Sequence, residues 1–131
     1  MLEIAAAGCL PNSGNQMDNT LREEINQLHA QVCSGLADSN RILILYTLDN
    51  KTYNVNDLAD AIGLPQPSTS RHLKILRDRG MVYAQRDGQS VYYTLADARI
   101  TQALNLLRSF LGDKLRTQAD LVKPVNERLK P

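Results

Sequence analysis

The sequence predicts a mainly α-helical fold with one small β-hairpin, and three observations carry that expectation. Apolar residues recur at helical spacing through most of the chain, the period changes to alternation after Gly80, and Asp87-Gly88 then separates two β-rich runs. At 131 residues the chain has the length of one domain, given the usual ~100–200 residues each. Fifteen Lys+Arg against fourteen Asp+Glu leave a formal charge of +1, and 43% of the residues are hydrophobic, the composition of an ordinary globular chain. No run approaches the ~18 apolar residues of a membrane-spanning helix. The start Met1-Leu2-Glu3-Ile4 carries an acid where a signal peptide is basic, so a cytoplasmic protein without a membrane partner is expected.

Residues 1–20 hold no sustained period, and Pro11-Asn12-Ser13-Gly14-Asn15-Gln16 reads as part of a mobile arm. Thr20 followed by Glu23 is a capping-box pattern. Leu21, Ile25, Leu28, Val32 and Leu36 then recur every three or four residues, one face of a first helix ending near Ala37. Asp38-Ser39-Asn40 supplies a cap for an apolar helix from Arg41 to Leu48, and Asp49-Asn50-Lys51 reads as a turn. Val55, Leu58, Ala59 and Ile62 make a short helix started by Asn54 or Asn56 and stopped by Gly63. Pro67 fits the first turn of the next helix, which buries Leu73, Ile75 and Leu76 and ends at Gly80. Two helices joined by a short Gly-containing turn are a helix-turn-helix.

The alternating runs 81–86 and 89–95 flank Asp87-Gly88, a strong tight-turn signal, and predict a two-stranded hairpin. Ala96-Asp97 opens a last helix with Ile100, Ala103, Leu104, Leu107, Phe110 and Leu111 on one stripe. From Thr117 onward the chain is polar and broken by Pro124. The expected organisation is therefore an arm (1–20), a winged helix-turn-helix domain (21–116) and a tail (117–131). The apolar stripes of the first and last helices need cover, which predicts a homodimer with two reading helices about one DNA turn apart on a palindromic operator.

Charge is distributed to match that fold. Between Gln66 and Arg86 stand Arg71, Lys74, Arg77, Arg79 and Arg86 against Asp78, a local net of +4 in a chain whose total is +1. Such a basic patch is the electrostatic footprint of phosphate contact. Gln66, Ser68, Thr69, Ser70, Arg71, His72 and Lys74 lie in the first two turns of the second helix-turn-helix element, where side chains can reach base edges or phosphates of double-stranded DNA. Arg86 and Gln89 sit near the hairpin tip, placed for minor-groove or phosphate contact, whereas Tyr92 and Tyr93 are expected to pack or to bond a phosphate.

Several linked runs resemble the ArsR/SmtB family of bacterial winged-helix repressors. They are Gly35 to Leu45, Asp57-Leu58-Ala59, Gln66-Pro67-Ser68-Thr69-Ser70-Arg71-His72-Leu73-Lys74-Ile75-Leu76, Gly80-Met81-Val82 and Arg86 to Leu95. The resemblance covers about Leu28 to Leu111. It implies a homodimer formed by the first and last helices, a recognition helix from Gln66 to Arg79, a wing from Tyr83 to Leu95, and release from DNA when an inducer binds. The familiar metal sites of the family do not carry over. Where many members have Cys-x-Cys this chain has Tyr53-Asn54-Val55-Asn56-Asp57, and where others have Asp-x-His it has Asp97-Ala98-Arg99.

What remains for sensing is Cys9, Cys33 and His29. His29 and Cys33 are four apart and share a helix face, and Cys9 lies on the arm. Two thiols suit arsenite or a soft divalent metal as inducer, or a thiol oxidant that bridges them. The alternative is that Cys33 replaces an apolar interface residue and the regulator has no thiol-based inducer. No Gly-rich phosphate loop, paired carboxylates or Ser/His/Asp set points to an enzyme. A winged-helix protein-interaction module is the competing function, distinguished by whether the protein binds duplex DNA with a steep salt dependence.

Overall fold

The computed structural model describes residues 19–122, with side chains through 119. The chain divides between Ala96 and Asp97 into two compact units. In the first, α1 spans Asn19–Gln27 and continues as a π-helical turn over Leu28–Cys33. Thr20 lies inside α1 rather than at its cap, because a capping residue needs non-helical backbone angles, and the expected arm yields its last two residues to the helix. The helix also stops at Cys33, earlier than expected, and residues 34–36 turn away.

Helix α2 (Ser39–Thr47) starts where the sequence placed its cap: Asp38 is extended and its carboxylate accepts the Asn40 amide at 2.8 Å. Ile44, Leu45 and Leu48 are fully buried. Asn50 then adopts φ +71°, the left-handed conformation that Asn tolerates better than most residues, and the chain reverses. Strand β1 (Tyr53–Asn54) was not read from the sequence; two residues carry too little alternation to register as a strand. Of the two asparagines considered, Asn54 caps α3 (Val55–Ile62), its amide oxygen accepting the Asp57 N–H at 2.8 Å.

Gly63 ends α3 at φ +73°, a conformation that costs an L side chain about 1–2 kcal/mol, and this sharp exit sends the chain into α4 (Gln66–Asp78). Pro67 occupies the first turn of α4 as expected. At the other end Gly80 N–H donates to Arg77 and Met81 N–H donates to Leu76, both at 2.9 Å, the paired bonds of a Schellman stop. Thr69, Leu73 and Leu76 recur at spacings of four and three and are buried, alongside Leu58 and Ala59 of α3 and the α2 aliphatics. These residues, with Met81 and Val82, are the core of this unit and hold α4 by one face.

Strands β2 (Val82–Asp87) and β3 (Ser90–Leu95) pair antiparallel from Val82↔Leu95 to Asp87↔Ser90. The loop is therefore Gly88-Gln89, one residue later than the Asp87-Gly88 turn expected. Asp87 stays in the ladder, and the glycine, at φ +67°, takes the first loop position. Strand β1 adds to the free edge of β3 through Tyr53↔Tyr93 and Asn54↔Tyr92, so the wing is a three-stranded sheet of order β1-β3-β2.

The second unit contains α5 (Ala98–Val122, 25 residues). It runs past the boundary expected at 116, since no helix breaker intervenes before Pro124, and Thr117 hydroxyl donates to the Asp113 carbonyl at 3.0 Å. Of the predicted stripe, Leu104 is buried, whereas Leu107, Phe110 and Leu111 are all more than half exposed.

Candidate nucleic-acid interface

Helix α4 has two unlike faces. Thr69, Leu73 and Leu76 anchor one, while Gln66, Ser70, Arg71, Lys74 and Arg77 are exposed on the other. Because the buried residues have low freedom, the exposed polar ones stand on a rigid element, which is what reading an edge of DNA requires. Arg71 Nη2 donates to Ser68 Oγ at 3.2 Å, so the half-buried Ser68 steers the guanidinium. Lys74 Nζ lies 3.0 Å from Asp78 Oδ2, with both side chains more than half exposed. Such a surface pair is worth only about 0.3–0.5 kcal/mol, so it holds the Lys74 ammonium weakly. Arg86 and Gln89 are exposed near the wing tip, and Tyr92 and Tyr93 are half-buried in the sheet that β1 completes. Lys51 Nζ stands 5.0 Å above the Tyr53 ring on that same sheet.

Of the predicted DNA contacts, Thr69 is buried and His72 half-buried. Thr69 is 0% exposed and its hydroxyl donates to the Pro65 carbonyl at 3.0 Å, so it faces the core. Helical periodicity puts it on the buried face shared with Leu73, a fact masked by its hydroxyl in the sequence. His72 is half-buried, with Nδ1 at 3.4 Å from Arg41 Nη1 of α2. Arg79, counted in the basic patch, turns back to donate to the Ala30 carbonyl of α1. Arg41 was missed: it stands between the polar Asp38-Ser39-Asn40 cap and an apolar run, and nothing local in the sequence marks it as a partner of the reading helix.

The sensing candidates are only partly placed. Cys33 is a free, exposed thiol and His29 is exposed on the same π-helical turn. Cys9 lies outside the described residues. Among the described residues no three His, Cys, Asp or Glu side chains gather where a metal ion could be held. Asp97, at the position where a metal-binding member would continue Asp-x-His, caps α5 instead. Its Oδ1 accepts the Arg99 amide at 2.8 Å and its Oδ2 the guanidinium at 2.8 Å. These bonds hold its carboxyl down at about 2, below the usual carboxylate range.

A helix-turn-helix with an exposed basic second helix, followed directly by a β wing, defines the class: a winged helix-turn-helix protein. Residues 38–84, from the α2 cap through the start of the wing, match the model of the arsR family of bacterial regulatory proteins. The chain is 41% identical over 83 residues to the HTH-type transcriptional regulator NmtR of Mycobacterium tuberculosis, covering 61% of this chain and 69% of that one. The crystal structure of NolR from Sinorhizobium fredii superimposes with a TM-score of 0.62 at 30% identity, covering 79% of this chain and 97% of that one. A homodimeric winged helix-turn-helix DNA-binding domain from Mycobacterium bovis gives a TM-score of 0.65 at 27% identity, covering 80% and 95%. The protein belongs to the arsR family of bacterial transcriptional regulators. No helix among the described residues is long and apolar enough to cross a membrane.

Proposed function

We propose that the protein is a cytoplasmic homodimeric repressor that sets α4 of each protomer in the major groove of a palindromic operator, with the β2–β3 wing on the flanking DNA. The observation that carries this reading is the two-faced build of α4: a buried row fixes the helix while Arg71, Lys74 and Arg77 face outward, with Arg86 on the wing. In this reading Gln66, Ser68, Ser70 and Arg71 reach base edges, and Lys74, Arg86 and Gln89 meet phosphates or the minor groove. A second copy is called for by exposed apolar rows, Leu21, Ile25 and Leu28 on α1 and Leu107, Phe110 and Leu111 on α5. The homodimeric Mycobacterium bovis neighbour supports that assembly.

The test is binding to duplex from the promoter region of the protein's own gene across a salt series. Lys74, Arg77 and Arg86 are exposed on the reading helix and wing and make six cations in a dimer, so if all meet phosphate the slope of log K against log salt approaches about −5. Arg71→Ala and Lys74→Ala should each weaken binding, and Lys74→Ala should also flatten the slope. Failure to bind any duplex at low salt would favour a protein-interaction module, and unchanged affinity in both variants would sink the recognition-helix assignment.

For the inducer, the exposed Cys33 thiol supports sulfur chemistry on α1 together with Cys9, and His29 is a further donor for a metal. Arsenite or a soft divalent metal would bind the thiolates. An oxidant would join them as a disulfide, taking up two electrons while two protons leave. Titrating arsenite, cadmium, zinc and a disulfide-forming oxidant against the operator complex of wild type, Cys9→Ser and Cys33→Ser decides it. Release of the wild type alone supports the thiol inducer; no release, or equal release of both variants, removes it.

A further inference from the structure

The end of α1 is held by side chains from α2 and α4. A helix leaves its last carbonyls without intrahelical donors. Here the Ala30 carbonyl accepts from Arg79 Nη1, and also from the Ser34 hydroxyl at 2.6 Å. The Ser34 and Gly35 carbonyls accept from Arg41 Nη2 at 3.2 Å and Arg41 Nε at 2.8 Å. The remaining Arg41 nitrogen, Nη1, faces His72 Nδ1 in α4 at 3.4 Å. A guanidinium has no acceptor, so His72 Nδ1 offers its lone pair and the ring proton resides on Nε2. Segment 30–35 therefore engages α4 at two points seven residues apart, His72 through Arg41 and the C-cap Arg79 directly.

The fit there is close. A Cβ on the buried Gly35 would stand 2.9 Å from Met81 Sδ and 3.7 Å from Arg79 Cγ, so the turn after α1 lies against the chain just beyond α4. The π-helical turn Leu28–Cys33, which contains Ala30 and leads straight into this turn, is the kind of irregularity that sets a helix end in a non-standard direction.

We infer that Arg41, His72 and Arg79 are positioning residues for DNA recognition: they latch α4 to the end of α1, so that the setting of the reading helix follows α1. The inference rests on the DNA-binding reading above. It gives His72 a role through Arg41 rather than on a base, and it makes the C-terminal turn of α1 the route by which any event on that helix reaches the DNA.

The experiment has a DNA-free arm and a DNA arm, both on the full chain, with circular dichroism confirming that each variant is folded. The chain has two histidines, so imidazole ¹⁵N resonances are assigned with His29→Gln. With neutral rings, Arg41→Gln should move the His72 Nδ1 resonance and leave His29 unmoved. An unmoved Nδ1 overturns the latch whether or not the protein binds DNA. In the DNA arm, with a duplex selected by the wild type from a randomised library, His72→Ala and Arg41→Gln should each weaken binding about fivefold, and the double variant no further. His72→Asn, which keeps an acceptor near the Nδ1 position, should restore affinity. The salt slope should stay that of wild type, because no phosphate contact is lost, whereas Lys74→Ala flattens it. Additive losses, or no rescue by His72→Asn, overturn the inference. Wild type that binds no duplex fails the DNA reading alone, and the resonance arm then decides the latch.

Discussion

Replacing Thr69 by Val should cost the fold no more than about 1 kcal/mol and leave DNA affinity of the folded protein unchanged. The side chain is 0% exposed, and its hydroxyl donates to Pro65 O at 3.0 Å. The same carbonyl also accepts the Thr69 amide at 3.1 Å, so losing the hydroxyl leaves no orphaned acceptor. One neutral hydrogen bond is worth about 0.5–1.5 kcal/mol. A buried methyl of similar size returns part of that through apolar burial, at roughly 0.8 kcal/mol per carbon. The net corresponds to a Tm fall of a few degrees at most. Had Thr69 read a base, its loss would cost on the order of 1–3 kcal/mol of discrimination with the fold untouched. Thermal denaturation and fluorescence anisotropy on a bound duplex separate the two outcomes. The exposed Ser70, changed to Ala, should behave oppositely, with Tm kept and binding weakened. An unchanged Tm with tenfold weaker binding in Thr69→Val would refute the core placement.

Gly63→Ala should destabilise by about 1–2 kcal/mol in chemical denaturation, because φ is +73° while no atom crowds the site; a neutral substitution would contradict that strain. Asp97 gains stability from ionisation, since its folded carboxyl titrates near 2 against 3.8 unfolded; the contribution is present above about pH 4 and lost as pH falls through about 2. Carboxyl ¹³C titration should give that low midpoint, and an ordinary one would exclude the Arg99 cap. Leu76→Ala, at 0% exposure, should cost about 2–5 kcal/mol, and a loss under 1 would mean the core closes over the gap. Phe110→Glu with Leu107→Glu should leave a folded monomer by sedimentation; a persistent dimer would place the interface elsewhere.

Local signals carried much of the architecture. The Asp38 and Asn54 caps, the Gly63 and Gly80 stops and the change of period after Gly80 act over a few residues, so they are legible in one dimension. Signals of the same kind misplaced the start of α1, since Thr20 has the right chemistry for a cap but sits within the helix. The hairpin loop slipped by one residue because Asp-Gly fits either register, and pairing of Asp87 with Ser90 decides between them. Strand β1 escaped because it exists only as an addition to β3.

For the candidate site, the sequence by itself determined that a basic helix follows a tight turn and precedes a wing, because charge, caps and periodicity are properties of neighbouring residues. Only the tertiary structure decided which way those side chains face. Thr69 turns inward, Arg79 reaches back to Ala30, and Arg41, 31 residues from His72, closes a contact that no local pattern encodes. The reason is physical: periodicity ranks residues by face, but which donor meets which carbonyl depends on how α1, α2 and α4 pack, and that is fixed by the core they share.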